Sequence, residues 1–427
     1  MSQEEPKMRI AVIAPGSRGD IQPFIALGQG LLRAGHAVRV VTNKDFDALV
    51  TSYGLEIRPV DIEVQAALQT REASAAVEGG GLIASFRKFA ELASSATRML
   101  VQAGLDAARD ADIIISGLGG MFVGGALAEK LGLPFVQAYN VPLTPTAAFP
   151  GALLPWLSVW PRSLSHRLSH GLTRQAVWQA ARSAGNRARV EMLGLPSAPL
   201  FGMFDNEVFR RGPLLYGFSS AVLPRPADWE ERIHVTGYWF ADEPDSWVPP
   251  AELLAFLEGG PPPVYIGFGS MSSERPGETM RLVLDALATH GRRAIVHAGW
   301  SGITSTASPE NVLVVGSVPH SWLFPRVGAI VHHGGAGTTA AAIRAGVPSV
   351  VVPFHGDQPF WAGLTEKLGV GTRPIPRRRL TVRRLAAAIE EALTQEELRR
   401  RAAALGDRVR QEDGVTRAVK LIEGVAR

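Results

Sequence analysis

Short, unbroken apolar segments alternate with helical segments in two separate parts of the chain. In the first part, RIAVIAP at 9–15 is followed by GSRGDIQPF, by apolar residues at helical spacing and by AVRVVT at 37–42. A strand that is apolar at every position is typical of a parallel sheet covered by helices on both faces. This pattern predicts a β-α-β unit, which DIIISG at 112–117 and PFVQAY at 134–139 extend.

The same alternation restarts near residue 262. Five more apolar runs follow there: VYIGFGS, RAIVHAG, VLVVG, AIVHHGG and PSVVVPF. Residues from about 210 to 262 are rich in proline and tryptophan, as linkers between domains often are. We therefore expect an α/β chain with two parallel-sheet domains, at 1–240 and 263–405, joined by a linker at about 241–262. The final helices have no new strand to pack on, which leaves a return of residues 406–427 to the first domain open.

Composition excludes several kinds of protein. The 427 residues contain no cysteine, so disulfides and thiolate metal sites are impossible and an intracellular setting is favoured. The formal charge of +4, from 44 basic and 40 acidic residues, gives no reason to expect a nucleic-acid partner. The N-terminal MSQEEPKMRI does not resemble a secretory leader, and we expect a cytoplasmic protein.

Residues 131–161 contain no charged side chain and are long enough for a membrane helix. Prolines would break such a helix at six positions, so we interpret the stretch as a buried loop or pocket wall; they are Pro134, Pro142, Pro145, Pro150, Pro155 and Pro161. An amphipathic pattern continues through Trp156, Trp160 and LSHRLSHGLTRQAVW at 164–178. It is compatible with peripheral membrane contact. A helical lid over an apolar pocket is the alternative that we favour.

The sequence HHGGAGTT at 332–339 joins the apolar run AIVH to the helical segment TTAAAIRA. Free amides at a helix N-terminus bind anions, and glycines let a phosphate come close to the backbone. No Lys-Ser/Thr pair follows, and Gly-x-Gly-x-x-Gly is absent, so neither common nucleotide motif fits. The turn predicts a phosphate site, with a tight strand-to-helix connection as the alternative.

Two further segments follow strands of the second part, GFGSM at 267–271 and FHGDQPFWA at 354–362. The carboxyl ends of parallel strands form the ligand crevice of open sheets. Asp357 and Gln358 would therefore face the bound molecule, and an acid beside an amide suits sugar hydroxyls. Alternatively, Asp357 caps a helix ahead of Pro359.

Together, GSRGDIQPFIALG, VTGYW, PPVYIGFGSM, HHGGAGTTAAAIRAGVPSVVVPF and GDQPFWA resemble the family 1 inverting glycosyltransferases, in order and in spacing. The chain is most similar to sterol 3-β-glucosyltransferases and to bacterial macrolide and glycopeptide glycosyltransferases. The resemblance covers residues 8 to about 375. It implies a GT-B fold, in which two Rossmann-like domains face a cleft, the first binding the acceptor and the second the nucleotide sugar.

The resemblance also implies the reaction: a hexose passes from a nucleotide sugar, UDP-glucose above all, to a hydroxyl of a sterol, triterpenoid, macrolide or other polyketide. Residues 131–161 and 60–105 would form the acceptor pocket. A dTDP-deoxysugar transferase of antibiotic biosynthesis is one alternative. A nucleotide-sugar epimerase and an inactive auxiliary protein of the same fold are others.

Site residues carry over position by position. The diphosphate would contact His333, Gly335, Ala336, Gly337 and Thr338, with support from Ser270. The backbone of Val318 would meet the base, Asp357 and Gln358 the sugar, and Ser17, Arg18 and Gly19 also belong to the donor set. Ser317 and Ala341 replace a tryptophan and a glutamate of the plant branch, which puts plant-type uridine contacts in doubt.

Asp20 is the general base that the resemblance implies. Its ordinary pKa of about 3.9 makes it a weak base for an alcohol, so proton transfer must come late or burial must raise the pKa. As an alternative, Asp20 caps a helix that begins at Ile21.

We predict no metal cofactor. The spacing of Asp110, Ala111 and Asp112 matches the DxD motif of metal-dependent sugar transferases, but it precedes a strand, where it would end a helix. His332 and His333 are adjacent on a strand and point to opposite faces, so one site is not expected to use both. The helix terminus and His333 would neutralise the leaving group instead.

Overall fold

The computed structural model describes residues 6–61, 82–242, 247–268, 276–297 and 309–425. In the helices that begin at Leu82 and Pro276, side chains are described from Ser94 and from Gly277 onward. The chain divides into two compact units. The first unit contains the residues up to Ala241 and those from Asp413 onward, and the second unit is Asp242–Glu412.

The first unit is built on a seven-stranded parallel sheet with strand order β3-β2-β1-β4-β5-β6-β7. The strands are β1 (Arg9–Ile13), β2 (Ala37–Asn43), β3 (Glu56–Val60), β4 (Ile113–Ser116), β5 (Phe135–Tyr139), β6 (Leu214–Tyr216) and β7 (Ile233–Val235). The helices are α1 (Arg18–Arg33), α2 (Asp47–Ser52), α3 (Leu82–Ala107), α4 (Met121–Leu131), α5 (Arg162–Glu191) and α6 (Glu207–Arg211).

Strand β1 is an interior strand, third from one edge of this sheet. It pairs in parallel with β2 and β4, so that Ile13 aligns with Val41 on one side and Ser116 on the other. The four residues after Arg9 are all buried, which explains why the strand is apolar on both faces. The turn after β1 therefore opens at the carboxyl edge of the sheet, where α1 begins.

The proline- and tryptophan-rich region contains two strands that the sequence pattern did not reveal. β6 and β7 are three residues each, and they extend the first sheet rather than forming a linker. The expected linker at 241–262 falls in the second unit, which begins at Asp242 and includes a helix before its first strand. β3 was also missed, because Arg58 and Pro59 interrupt its apolar pattern.

The second unit contains a five-stranded parallel sheet with order β10-β9-β8-β11-β12. Its strands are β8 (Val264–Gly267), β9 (Ala294–His297), β10 (Val312–Val315), β11 (Ala329–His332) and β12 (Ser349–Val351). Its helices are α7 (Ala251–Glu258), α8 (Pro276–Ala288), α9 (His320–Leu323), α10 (Ala336–Ala345), α11 (Gln358–Leu368), α12 (Val382–Thr394) and α13 (Glu396–Arg410). Apolar clusters cover both faces of this sheet.

The last helix, α14 (Gly414–Glu423), belongs to the first unit, while α12 and α13 remain in the second. Ala418, Val419 and Ile422 of α14 join the core beneath α1. His36 Nε2 lies 3.1 Å from Glu423 Oε1 at the edge of this contact. The two helices approach closely because Gly30 has no side chain: a Cβ there would lie 2.3 Å from Cγ1 of Val415.

Replacing Gly30 with alanine is therefore expected to destabilise the first unit. Alanine favours a helix interior by about 1 kcal/mol over glycine, but overpacking against the stiff Val415 costs about 1–3 kcal/mol. The net loss should lower the thermal unfolding midpoint, and Val415→Ala should restore part of it. Gly185→Ala in α5 is the matched control, since a Cβ at Gly185 meets nothing within 4 Å. Equal unfolding midpoints for Gly30→Ala and Gly185→Ala would contradict the close approach of α1 and α14.

Candidate functional site

The turn between β11 and α10 is shaped by histidine and glycine together. His332 is the last residue of β11, and its Nδ1 accepts a hydrogen bond of 3.1 Å from the amide of Gly334. Gly334 has φ +89°, a conformation that favours glycine. A Cβ on Gly335 would lie 2.5 Å from Nε2 of His333. A side chain at Gly335 would therefore displace His333, and one at Gly334 would strain the backbone and crowd Val351.

Helix α10 begins immediately after this turn, with Gly335 as its N-cap residue. The first intrahelical bond runs from the Thr339 amide to the Gly335 carbonyl at 2.9 Å. The amides of Ala336, Gly337 and Thr338 consequently have no acceptor within the helix. Together with the helix dipole they form a backbone site suited to an anion.

Both histidines of the turn are neutral at physiological pH. Burial lowers the pKa of His332 to about 3, and burial followed by the charge of His355 lowers that of His333 to about 4. Nε2 of His332 and Nδ1 of His333 are buried and have no hydrogen-bond partner among the described residues. Positive potential at the turn therefore comes from the helix terminus, and His333 offers a neutral imidazole.

Asp357 and Gln358 lie beyond β12, the strand that pairs with β11. Asp357 is the N-cap residue of α11, but its carboxylate accepts from Nε1 of Trp361 at 2.8 Å instead of capping the helix. Gln358 is buried, and its Oε1 accepts from the amides of Phe354 at 2.8 Å and His355 at 3.3 Å. The amide oxygen of Gln358 thus holds the loop that carries His355.

Of two other residues in the expected donor set, the structure describes Val318 but not Ser270. Val318 lies between β10 and α9, with its side chain buried in the core on one face of the sheet. Ser270 lies outside the described residues, so its expected role stays a prediction.

Asp20 lies in the first unit, one turn into α1. The helix begins at Arg18 with Ser17 as the N-cap residue, so Asp20 is the third helical residue, and the alternative of a cap for Ile21 is wrong. Oδ2 of Asp20 accepts from the amide of Ser17 at 2.7 Å and from its hydroxyl at 2.8 Å. This is the reach-back bond of a capping box, made by an aspartate.

Gly16 allows the Asp20 carboxylate to occupy this position. It has φ +147°, and a Cβ there would lie 2.6 Å from Oδ2 of Asp20. Its amide donates to Oδ1 of Asn43 at the end of β2, at 3.2 Å. The neighbouring strand thereby fixes the turn that presents Asp20, Arg18 and Gly19.

Asp20 is an exposed residue, yet the protein atoms around its carboxyl group raise the pKa above the ordinary value. Desolvation by the surrounding protein is the main cause, and the two hydrogen bonds from Ser17 oppose it. A raised pKa makes the carboxylate a better proton acceptor than an ordinary aspartate.

Both aspartates at the DxD spacing have structural partners. Asp110 pairs with Arg39 and Arg9, and Arg39 lowers its pKa first of all by hydrogen bonding. Asp112 accepts from the backbone amide of Arg9 at 2.6 Å. Among the described residues, no group of three or more His, Asp or Glu side chains is placed to hold a metal ion.

Comparison with known proteins places this chain in a family. Residues 10–150 match the glycosyltransferase family 28 N-terminal domain, and residues 281–422 match the C-terminal domain of erythromycin biosynthesis protein CIII-like proteins. A sterol 3-beta-glucosyltransferase of Arabidopsis thaliana is 36% identical over 97% of this chain and 67% of its own length. The chain belongs to the glycosyltransferase family that includes this sterol 3-beta-glucosyltransferase. A sterol 3-beta-glucosyltransferase of Pichia angusta is 35% identical, and the chain spans 33% of that protein and 27% of a Cryptococcus neoformans relative.

Solved structures show the same architecture. The kitacinnamycin glycotransferase gives a TM-score of 0.69 at 21% identity, covering 99% of this chain and 100% of that one. The calicheamicin glycosyltransferase gives 0.69 at 19% identity, covering 98% of each chain. At this identity the likeness establishes the fold, which is GT-B.

Sequence reasoning missed His332 and Asn43. His332 was set aside because its neighbour points to the opposite face, and the structure shows that it shapes the glycine turn through the Gly334 amide. Asn43 ends the second apolar run, and only its position beside β1 links it to Gly16. A polar residue at the end of a buried strand is the pattern that could have identified both.

The buried, neutral His332 should make the second unit sensitive to acid. Its pKa of about 3 lies below that of an unfolded histidine, so the unfolded chain takes up a proton first and stability falls as the pH drops below about 6.5. Each such proton contributes a slope of about 1.4 kcal/mol per pH unit. His332→Asn keeps a hydrogen-bond acceptor and should flatten the slope by about that amount between about pH 6 and pH 4, measured by urea unfolding. The exposed His290→Asn is the control, and a wild-type slope in His332→Asn would refute the assignment.

Proposed function

We propose that this chain transfers a hexose from a nucleotide sugar, UDP-glucose above all, to a hydroxyl group of a lipophilic acceptor. The observation that carries the proposal is the HHGGAGTT turn, where amides without an acceptor in the helix open α10 beside two neutral histidines. A diphosphate matches this site in charge and hydrogen bonding. Membership in a glycosyltransferase family supports a sugar on that diphosphate.

In the proposed reaction, Asp20 accepts the proton of the acceptor hydroxyl as its oxygen attacks the anomeric carbon. The bond from that carbon to the diphosphate oxygen breaks, the electron pair leaves with the nucleoside diphosphate, and the anomeric centre inverts. The raised pKa of Asp20 supports its role as base. The amides of Ala336, Gly337 and Thr338 would stabilise the negative charge of the leaving group.

His333 would contribute a hydrogen bond from a neutral ring. Since its pKa is about 4 without ligand, a bound diphosphate would raise that pKa by placing negative charge beside the imidazole. Val318, Asp357 and Gln358 remain the proposed contacts to the base and the sugar, with Ser270 and residues 17–19 completing the donor set. No metal is part of the proposal.

A sterol is the acceptor class that the curated relatives favour, because they are named sterol 3-beta-glucosyltransferases. The uncharged residues 131–161 would contribute to its pocket, together with 60–105, of which 62–81 lie outside the described residues. Triterpenoids, macrolides and other polyketides have similar apolar character. Cytoplasmic location and peripheral contact with a membrane, where such acceptors dissolve, complete the proposal.

A thymidine-linked deoxysugar is the second candidate donor. Ser317 and Ala341 stand where plant enzymes of the resembling family carry a tryptophan and a glutamate, so the nucleotide preference is open to test. Such a preference would move the function toward glycosylation of an antibiotic.

Calorimetric titration with UDP in excess EDTA tests the donor site. Binding without metal is expected, and His333→Ala should weaken it by at least about tenfold, since a lost hydrogen bond to a charged group is worth about 1.5–3 kcal/mol. His290→Ala, at an exposed position, should bind like wild type. Thymidine diphosphate and NAD serve as comparisons: preference for the thymidine nucleotide would change the proposed donor. Absence of binding to either diphosphate would refute the phosphate site.

Asp20→Asn tests the base. The variant should lose transfer by at least about a hundredfold while UDP affinity stays nearly unchanged, because general base catalysis contributes about 10²–10⁴. Rates are measured with UDP-glucose and a sterol acceptor. Asp47→Asn, at an exposed aspartate in the first turn of α2, is the matched control. Normal turnover by Asp20→Asn would remove the residue from the mechanism.

A further inference from the structure

Helix α5 begins with its polar residues inside and its apolar residues outside. Five buried side chains in its first turns are polar or titratable, namely Ser165, His166, Ser169, His170 and Thr173. Leucines occupy the outer face instead. A helix of a water-soluble protein ordinarily shows the opposite arrangement.

The buried polar face of α5 holds the segment that precedes the helix. The Gly151 amide donates to Oγ of Ser169 at 2.7 Å, and Nδ1 of His166 lies 2.9 Å from the Ala147 carbonyl oxygen. Nε2 of His166 also lies 2.8 Å from the hydroxyl of Ser158. His170 Nε2 contacts the carbonyl of Phe149 at 3.0 Å. These bonds fix the inverted orientation of the helix.

The outer face and the segments next to it carry exposed apolar side chains. Leu164, Leu168 and Leu172 are spaced four residues apart, so they lie on one side of α5. Trp160, just before the helix, is 91% exposed, and Trp156 is 68% exposed. Phe201 is 78% exposed beside the next turn, where its carbonyl accepts from Gln175. These six residues are called the apolar stripe below.

The exposed apolar side chains of this protein are concentrated in and near the apolar stripe rather than scattered over the surface. Twelve large apolar side chains are exposed among the described residues, and eight of them belong to residues 156–172 and 200–201. These eight are Trp156, Val159, Trp160, Leu164, Leu168, Leu172, Leu200 and Phe201. A concentrated patch of this kind is a mark of an interaction surface.

Charge around the apolar stripe is basic. Residues 131–190 contain six arginines and no aspartate, glutamate or lysine, with Glu129 and Lys130 just before them and Glu191 just after. Arg162 is exposed at the start of α5, and Arg167 projects from the same part of the helix. The acidic groups that approach from other segments are Asp228, paired with Arg167 at 2.8 Å, Asp205, which lies 3.7 Å from Arg174, and Glu129, which pairs with the buried Arg189 at 2.9 Å.

We propose that the apolar stripe is a docking surface for a lipid bilayer containing anionic lipids. Tryptophan favours the bilayer interface, leucines enter the acyl boundary, and arginines contact anionic headgroups. Contact would be peripheral, since within the residues described no helix is long and apolar enough to cross a membrane. A second copy of the chain fits this surface less well, because two basic faces would repel each other.

Vesicle flotation tests this surface, with phosphatidylcholine vesicles that contain or lack phosphatidylglycerol. The wild-type chain should float with the anionic vesicles, less with the neutral ones, and less at high salt. The triple variant Leu164→Gln, Leu168→Gln and Leu172→Gln should partition at least about tenfold more weakly, since each leucine adds buried apolar area to the bound state. The matched control is Val190→Gln, Val248→Gln and Leu254→Gln, which removes three exposed apolar side chains elsewhere and should float like wild type.

Circular dichroism and UDP titration of both variants show whether they fold, so a loss of flotation with intact folding supports the proposal. Wild type that floats with neither vesicle, or a leucine variant that floats like the control, overturns it. A wild-type dimer that the leucine variant converts to monomer would assign the stripe to a second copy and also overturn it. No sugar transfer is measured, so the outcome is independent of the proposed function.

Discussion

Parallel strand pairing determines where chemistry can occur in this molecule. Every strand pair in the two described sheets runs parallel. Each strand must therefore be followed by a crossover, and all strand-to-helix turns of one sheet gather at one edge. In the first unit this edge receives the turn that holds Asp20, and in the second it receives the histidine-glycine turn. The apolar strands thus define the positions of the polar residues that follow them.

In both turns the backbone conformation and a local hydrogen bond hold a polar group in one position. Ser17 directs the Asp20 carboxylate through two bonds to the same oxygen, and Gly16 leaves room for it. His332 directs the amide of Gly334 in the other turn. Substituting a residue with a side chain at either glycine would move a functional group. This placement requires polar groups to be buried, which is seen in the depressed pKa values of His332 and His333.

Much of the fold was predictable because a short, continuous apolar run between turn residues is typical of a buried parallel strand and of little else. Strands β1, β2, β4 and β5 and all five strands of the second sheet coincide with such runs. β6 and β7 were missed because three residues are too few for a pattern, and the surrounding prolines suggested a linker. The alternative role of Asp20, as a cap for a helix beginning at Ile21, was wrong because α1 begins three residues earlier, at Arg18, with Ser17 as the N-cap residue. The inward bonds of Gln358 depend on a loop conformation that no local pattern encodes.

Helix α5 shows the limit of amphipathic patterns most clearly. LSHRLSHGLT has a leucine face and a serine-histidine face, and local sequence alone favours burying the leucines, as a lid over an apolar pocket would. The described structure has the reverse orientation because residues 147–158 offer a backbone amide, carbonyls and a hydroxyl that Ser169, His166 and His170 satisfy. A buried backbone group without a partner costs free energy comparable to a lost hydrogen bond, so satisfying several together can outweigh the exposure of three leucines. Exposure of those leucines is unfavourable only if water is their permanent surrounding. Against an apolar phase, the same orientation satisfies both faces of the helix.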